Sequence, residues 1–317
     1  MKKQLTFAEA EYEHKKRKTR REKFLERMET LIPWEKLESA IAPFYARGGS
    51  GRSPTALSVM LRIHCMQVFY NLSDPAMEDA LDAIESMRRF AGVDLSRVPD
   101  ESTILHVRHL LEQHDLGSTI FKTVNDHLAQ QGLLLKAGSI VDATIITAPS
   151  STKNETGKRD LQMRSTQKGQ TWYFGMKMHI GVDDVTGLMH HMHTTPANVH
   201  DLDAVPGLLH GEEQRVYGDA GYRGIHKRPE HANRQDVTWH IAMRPGERKV
   251  LGPDSELAKA ETHKARIRAK VEHPFRYIKQ VFGYAKVRYR GLHKNTNRLA
   301  LLAAFTNLLI GSRFQPS

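Results

Sequence analysis

The 317-residue chain holds a single cysteine, Cys65, so it can close no internal disulfide and build no four-cysteine zinc site. It also has no apolar run of the ~18 residues that a membrane span needs. The longest such run, Leu299 to Ile310, is interrupted by Thr306 and Asn307. Its first residues are too polar to form the apolar centre of a secretory signal. Acidic residues are the remaining shortage: 36 Asp+Glu face 47 Lys+Arg, for a formal charge of +11. With 39% hydrophobic and 26% charged residues, what is left is a basic globular chain, expected in a reducing cytoplasm and long enough for a sizeable core.

The positive charge is concentrated. Twelve Lys/Arg stand between Lys259 and Arg298 against only Glu261 and Glu272. A second run, Lys15-Lys16-Arg17-Lys18-Thr19-Arg20-Arg21-Glu22-Lys23, is almost as dense. Clustered cations suit a polyanion, because each neutralised phosphate releases counterions. Nucleic acid is therefore the expected partner of the C-terminal window, whereas the N-terminal run is equally consistent with a solvated helix face.

Three regions follow from the pattern. Residues 1–50 read as a basic helical arm, ending at a flexible Gly48-Gly49-Ser50-Gly51 hinge. Residues 51–132 read as all-helical, with starts at Ser53-Pro54, at Ser73 before Pro75, and at Asp100-Glu101-Ser102. Cys65 falls on an apolar helical face as a small core residue. Residues 133–317 change texture to α/β. Strands are expected at Ser139–Ile146, Tyr173–Val182, Leu188–His193, Gln214–Asp219 and Val237–Met243. Residues 149–170 read as a long polar loop, Asp183 to Gly187 as a hairpin turn, Asp201 to Leu209 as a short helix capped by Asp201, and Ser255 to Val281 as one long helix. Three strands that can pair antiparallel, then alternating helix and strand, is the order of an RNase H-like core, though other α/β folds share it.

Two aspartates sit at or near strand ends, Asp142 in Ile140-Val141-Asp142-Ala143-Thr144 and Asp219 in Gly218-Asp219-Ala220-Gly221-Tyr222. Glu272 lies on the long basic helix. A carboxylate in an apolar strand is costly unless it is paired or holds metal, although a lone one more commonly caps a turn. Arg268, Glu272 and Lys279, four and seven residues apart, fall roughly on one helical face. His190, His191 and His193 crowd one strand but lack a cysteine partner for zinc, and read as surface or DNA-facing. Trp172, Tyr173 and Trp239 could stack on an unpaired base or pack in a core.

These residues resemble the DDE transposases of bacterial insertion sequences, in the insertion sequence five family. The likeness runs from Thr6-Phe7 and Arg20 to Leu25, through Pro99 to Ile104, Val141 to Thr144, Gly175 to His179 and Ala197 to Asp201, to Gly218 to Tyr222. Its most specific element is a tyrosine–arginine–glutamate–lysine signature, matched by Arg268, Glu272 and Lys279, with Ala265 standing at the tyrosine position. The spacings of 77 residues from Asp142 to Asp219 and 53 from Asp219 to Glu272 leave little room for a large inserted domain.

The resemblance implies an RNase H-like catalytic core, a mixed five-stranded sheet with flanking helices, behind an all-helical DNA-binding and assembly region. It implies Asp142, Asp219 and Glu272 as catalytic metal ligands for Mg²⁺, with Mn²⁺ as a substitute. Hard oxygen ligands suit that ion, and paired divalent ions serve in-line phosphoryl transfer. Arg268, Lys279, Arg276, Lys16, Arg17, Arg20 and Arg21 are the expected contacts to double-stranded DNA, both element ends and target. The implied reaction is hydrolysis that frees 3′-hydroxyls, followed by joining to target DNA, in a nucleoid-associated homo-oligomer without a membrane. A nuclease that cuts without joining, or a non-catalytic DNA-binding derivative, are the alternatives.

Overall fold

Seven helices precede the first strand among the residues that the computed structural model describes, namely 17–45, 54–153, 157–231, 234 and 236–314. They are α1 (Arg20–Leu31), α2 (Trp34–Ile41), α3 (Leu57–Tyr70), α4 (Asp74–Ala83), α5 (Glu85–Ala91), α6 (Glu101–Gln113) and α7 (Leu116–Gln130). Thr6-Phe7, Lys15, Lys16, the Gly48–Gly51 hinge and Ser53 lie outside the described residues. Thr19 and Glu22 close a capping box on α1, and Ser73 and Asp100 cap α4 and α6 as their sequence positions predict. The third helix departs from expectation. It starts at Leu57 rather than at Ser53-Pro54, with Ala56 (ψ 139°) as its non-helical N-cap and the Thr55 carbonyl accepting the Tyr45 hydroxyl at 2.7 Å.

Six strands follow: β1 (Gly138–Thr147), β2 (Arg164–Lys168), β3 (Thr171–Asp183), β4 (Met189–Pro196), β5 (Arg215–Gly218) and β6 (Thr238–Ile241). The order β2-β3-β1-β5-β6, with β4 also paired to β3, makes one mixed sheet. Strands β1, β5 and β6 run parallel, while β1, β2 and β4 each pair antiparallel with β3. This is the RNase H-like arrangement. Five of the strands fall where apolar alternation placed them. The sixth, β2, lies in the expected loop, because both its faces are solvated and no alternation marks it.

The expected long helix breaks into pieces: α10 (Glu256–Arg268), a 3₁₀ turn over Ala269–Val271, α11 (Glu272–Arg276) and a π segment over Tyr277–Val281. Pro274 supplies the physical reason, since it lacks an N–H and its ring crowds the carbonyl four residues back. The shorter helices α8 (Asp201–Ala204) and α9 (Pro245–Lys249) lie between the strands in sequence.

The last helix, α12 (Leu292–Gly311), is buried along most of its length. It packs on α7, α3 and α6 on one side and on β4 on the other. One hydrophobic core therefore joins the N-terminal helices to the sheet. Buried asparagines fix the register. Asn307 accepts the Met189 N–H at 2.9 Å and donates to the Met189 carbonyl at 2.6 Å and to Asn125 Oδ1 at 2.7 Å. Asn125 donates to the same carbonyl at 3.0 Å. Near the other end of α12, Asn297 accepts the Gly117 N–H at 2.7 Å, where any side chain on residue 117 would collide with the Asn297 carbonyl.

Because Asn307 ties three elements in a dry core, Asn307→Ala strands the Met189 N–H and Asn125 Oδ1 together and leaves the Met189 carbonyl to Asn125 alone. It should destabilise the chain by about 3 kcal/mol in urea denaturation. A loss below about 0.5 kcal/mol would contradict the role given to this network.

Candidate active site

The β1–β5 register pairs Ile140 with Tyr217, and Asp142 and Asp219 each stand two residues beyond that pair. Adjacent strands lie about 4.8 Å apart, so the two aspartates are neighbours at the same end of the sheet. Asp142 is half-buried, and its carboxylate accepts the Ala143 N–H at 2.7 Å. Asp219 caps the turn that follows β5 by accepting the Gly221 N–H at 2.8 Å. Both glycines beside it have physical reasons. A Cβ on Gly218 would come 3.0 Å from Tyr222 Cβ, and one on Gly221 would crowd the Asp219 carboxylate.

Glu272 begins α11 and is exposed. It lines a groove of about 470 Å³ together with Thr144, Phe275, Arg276 and Lys279. In the antiparallel β1–β3 register Asp142 faces Ile180 and Thr144 faces Met178, so Asp142 and Thr144 share one sheet face. These charges act on one another. Burial first, then the nearby Asp219 and Glu272, together hold the Asp142 carboxyl raised to about 6, against the opposing Ala143 N–H and Arg268.

Arg268, Glu272, Arg276 and Lys279 make no hydrogen bond or ion pair among the described residues. The i, i+4 pair that Arg268 and Glu272 could form on an ordinary solvated helix is absent. Lys279 sits in the π segment, its ammonium lowered by burial and by Lys168, with Glu272 opposing. Other cations of the basic window serve the fold instead. Arg298 is buried, donating to the Gln67 carbonyl and Asn71 Oδ1, both at 3.1 Å, and Lys270 donates to the Asp184 carbonyl at 2.6 Å. Arg17, Arg20 and Arg21 are exposed at the start of α1, an element separate from the carboxylates, and Arg21 lies over the Tyr70 ring. Lys16 is outside the described residues.

Two sequence readings need correction. Asp201 does not cap its helix; His200 does, accepting the Leu202 N–H at 3.2 Å. Asp201 instead receives Lys177 Nζ at 2.9 Å, while Lys177 also donates to the Val199 carbonyl at 2.8 Å. The matched stretches Gly175–His179 and Ala197–Asp201 thus meet in one network, beside a buried His179 that burial lowers to about 4 against the pull of Asp201. The histidines of β4 are not all surface groups either. A bulge opposite Gly181 and Val182 brings His190 Nδ1 to 2.8 Å from His191 Nδ1 and its Nε2 to 2.9 Å from Ser139 Oγ, leaving His193 the exposed one of the three.

Tyr222 escaped the sequence reading. It is 1% exposed, its hydroxyl has no hydrogen-bond partner among the described residues, and burial, then Asp142, Asp201 and Asp219, raise its phenol well above the usual range. Two carboxylates act on Asp142 and three on Tyr222, with Arg268 the guanidinium opposing them at both, a deficit of positive charge that suits a divalent cation. No three His, Cys, Asp or Glu side chains among the described residues converge closely enough to cage an ion alone. Mg²⁺ commonly takes one or two carboxylates and completes its shell with water and substrate phosphate, so this donor set fits it.

Residues 134–308 match the transposase DDE domain family. The chain belongs to that family. Residues 12–110 match a second transposase domain, DUF772. No solved structure matches the chain. As a DDE transposase, the protein is of a class that cuts and joins DNA, typically with divalent metal. No helix among the described residues is long and apolar enough to cross a membrane.

The raised Asp142 carboxyl makes a stability prediction for metal-free protein. Its folded value of about 6 exceeds the ordinary 3.8, so the fold binds the proton more tightly than the unfolded chain does. Its contribution is neutral below pH 3.8 and turns unfavourable as pH rises through 6. Asp142→Asn in chelator should therefore be more stable than the wild type at pH 7, by up to about 3 kcal/mol, with the gap closing near pH 4. Urea denaturation at both pH values checks this, and a less stable variant at pH 7 would contradict it.

Proposed function

We propose that this transposase belongs to the insertion sequence five group and moves a bacterial insertion sequence. It binds double-stranded DNA at the element ends, hydrolyses phosphodiester bonds to free 3′-hydroxyls, and joins those to target DNA. It acts in the cytoplasm, at the nucleoid, as a homo-oligomer on its DNA. Residues 51–132 serve end recognition and assembly, the basic arm 1–50 adds phosphate contacts, and residues 133–317 carry the chemistry.

One observation supports this reading above the others: a half-buried aspartate on the central strand, held near a pKa of 6 beside two further carboxylates, shares a sheet face with Thr144, which lines the groove with Glu272. Asp142, Asp219 and Glu272 would hold Mg²⁺ or Mn²⁺, which supplies activation of the attacking oxygen and stabilisation of the leaving one. The chain's own groups do the rest. Arg268 lies close enough to temper the Asp142 charge and, with no hydrogen bond or ion pair among the described residues, is available to a phosphate. Lys279 and Arg276 line the groove and meet the backbone of the bound strand. No side chain acts as a covalent nucleophile; water and then the 3′-hydroxyl attack in turn.

Metal-dependent nicking of duplex DNA tests the assignment. Asp142→Asn, Asp219→Asn and Glu272→Gln should each reduce nicking by roughly a thousandfold, with double variants little worse because the ligands act as one unit. Glu272→Gln should still bind DNA. Lys279→Ala should lose only part of the activity, and raised Mg²⁺ should not restore it. Ca²⁺ should support binding without cleavage. Full nicking in chelator, or rescue of Lys279→Ala by Mg²⁺, would overturn the roles.

A further inference from the structure

Strands β2 and β3 join through a tight turn at Gly169, which adopts φ +61°, and their paired stretch projects as a two-stranded ribbon. The ribbon has little packing of its own. Every β2 residue except Thr166 is exposed, as are Thr171 and Trp172 across from them. A bare two-stranded ribbon is marginal in water and gains by lying against a partner. The chemistry of this one is specific. From Arg164 to Tyr173 it contains no acidic residue; apart from Gly169, Trp172 and Tyr173 it is Ser, Thr, Gln and cations.

Its most conspicuous side chain is Trp172, 67% exposed. Side chains alternate along β3, so Trp172 continues the face of Phe174, Met176, Met178 and Ile180. The last two of these are opposite Thr144 and Asp142. The indole therefore overhangs the sheet on the same face as the catalytic aspartate, past the point where the hydrophobic core ends. Near the tip, Lys168 is close enough for its charge to act on Lys279, which lines the groove together with Glu272.

We propose that the β2–β3 ribbon is a DNA-binding arm, in which Lys168 and Lys279 grip the phosphates beside the bond to be cut and the Trp172 indole lies against the adjoining sugars and bases. The inference rests on the reading of the carboxylate site as the place of DNA cleavage. Duplex DNA is favoured over a second copy of the chain because the arm offers cations and hydroxyls without a single carboxylate, the complement of a polyanion. A ribbon of two strands also has the width that a DNA groove admits.

Anisotropy of a fluorescein-labelled duplex, titrated with the full chain over a range of salt concentrations, tests the arm. Lys168→Ala should reduce the slope of log K against log[salt] by about 0.9, the loss of one phosphate contact. Trp172→Ala should weaken binding on the order of tenfold and leave the slope unchanged. Lys122→Ala, which removes a cation whose side chain is 78% exposed on α7, is the control and should change neither. Both arm residues are exposed, so circular dichroism should show unaltered folding.

Wild-type slopes for Lys168→Ala and undiminished affinity for Trp172→Ala would overturn the arm. An equal effect of Lys122→Ala would reduce the result to net charge and overturn it as well. So would a change in sedimentation of Trp172→Ala without a change in DNA affinity, which would make the indole a contact between copies. Each of these leaves wild-type nicking intact, whereas a wild type that neither binds nor nicks DNA would defeat the underlying reading of the carboxylate site.

Discussion

The architecture hangs on α12. A helix buried along most of its length must be surrounded, and here the N-terminal helices cover one side and the sheet the other. Burial alone would let it slide or rotate, because apolar contacts are not directional. The asparagines remove that freedom: Asn307 locks it to the start of β4 and to α7, and Asn297 locks it to the N-terminus of α7. The helical layer and the catalytic sheet thereby act as a single body. The π segment that carries Lys279 also packs on α12, so the groove beside Glu272 inherits its geometry from the same helix.

Against that rigid frame the carboxylate site is deliberately unfavourable. Asp142 sits half out of water with two like charges nearby and one guanidinium to offset them. Tyr222 adds a buried hydroxyl that bonds to nothing among the described residues. Natural chains tolerate such arrangements where function requires them. The neighbouring Lys177–Asp201 pair shows the contrast, a carboxylate of the same region satisfied at 2.9 Å by its own lysine.

Much of the fold was legible in local pattern. Five strands carried β-branched or alternating apolar residues, and Ser73 and Asp100 marked helix starts by their hydrogen-bonding chemistry. Asp142, Asp219 and Glu272 stood out once strand and helix were assigned, although their grouping came from family resemblance rather than spacing. What escaped was non-local. Strand β2 has no apolar face to announce it. Asp201 looks like a cap until Lys177, distant in sequence, claims it. Arg298 counts as one more surface cation until α12 buries it against Gln67 and Asn71. Tyr222 looks like core, and only the carboxylates folded around it expose its unpartnered hydroxyl.

The central claim is that one carboxylate site both cuts DNA and joins it. Strand transfer tests that most directly: a labelled duplex ending in a free 3′-hydroxyl at an element terminus is incubated with the full chain, target plasmid and Mg²⁺. The account predicts labelled plasmid with the wild type and none with Asp219→Asn. Nicking by the wild type without any joined product, or joined product from Asp219→Asn, would contradict it.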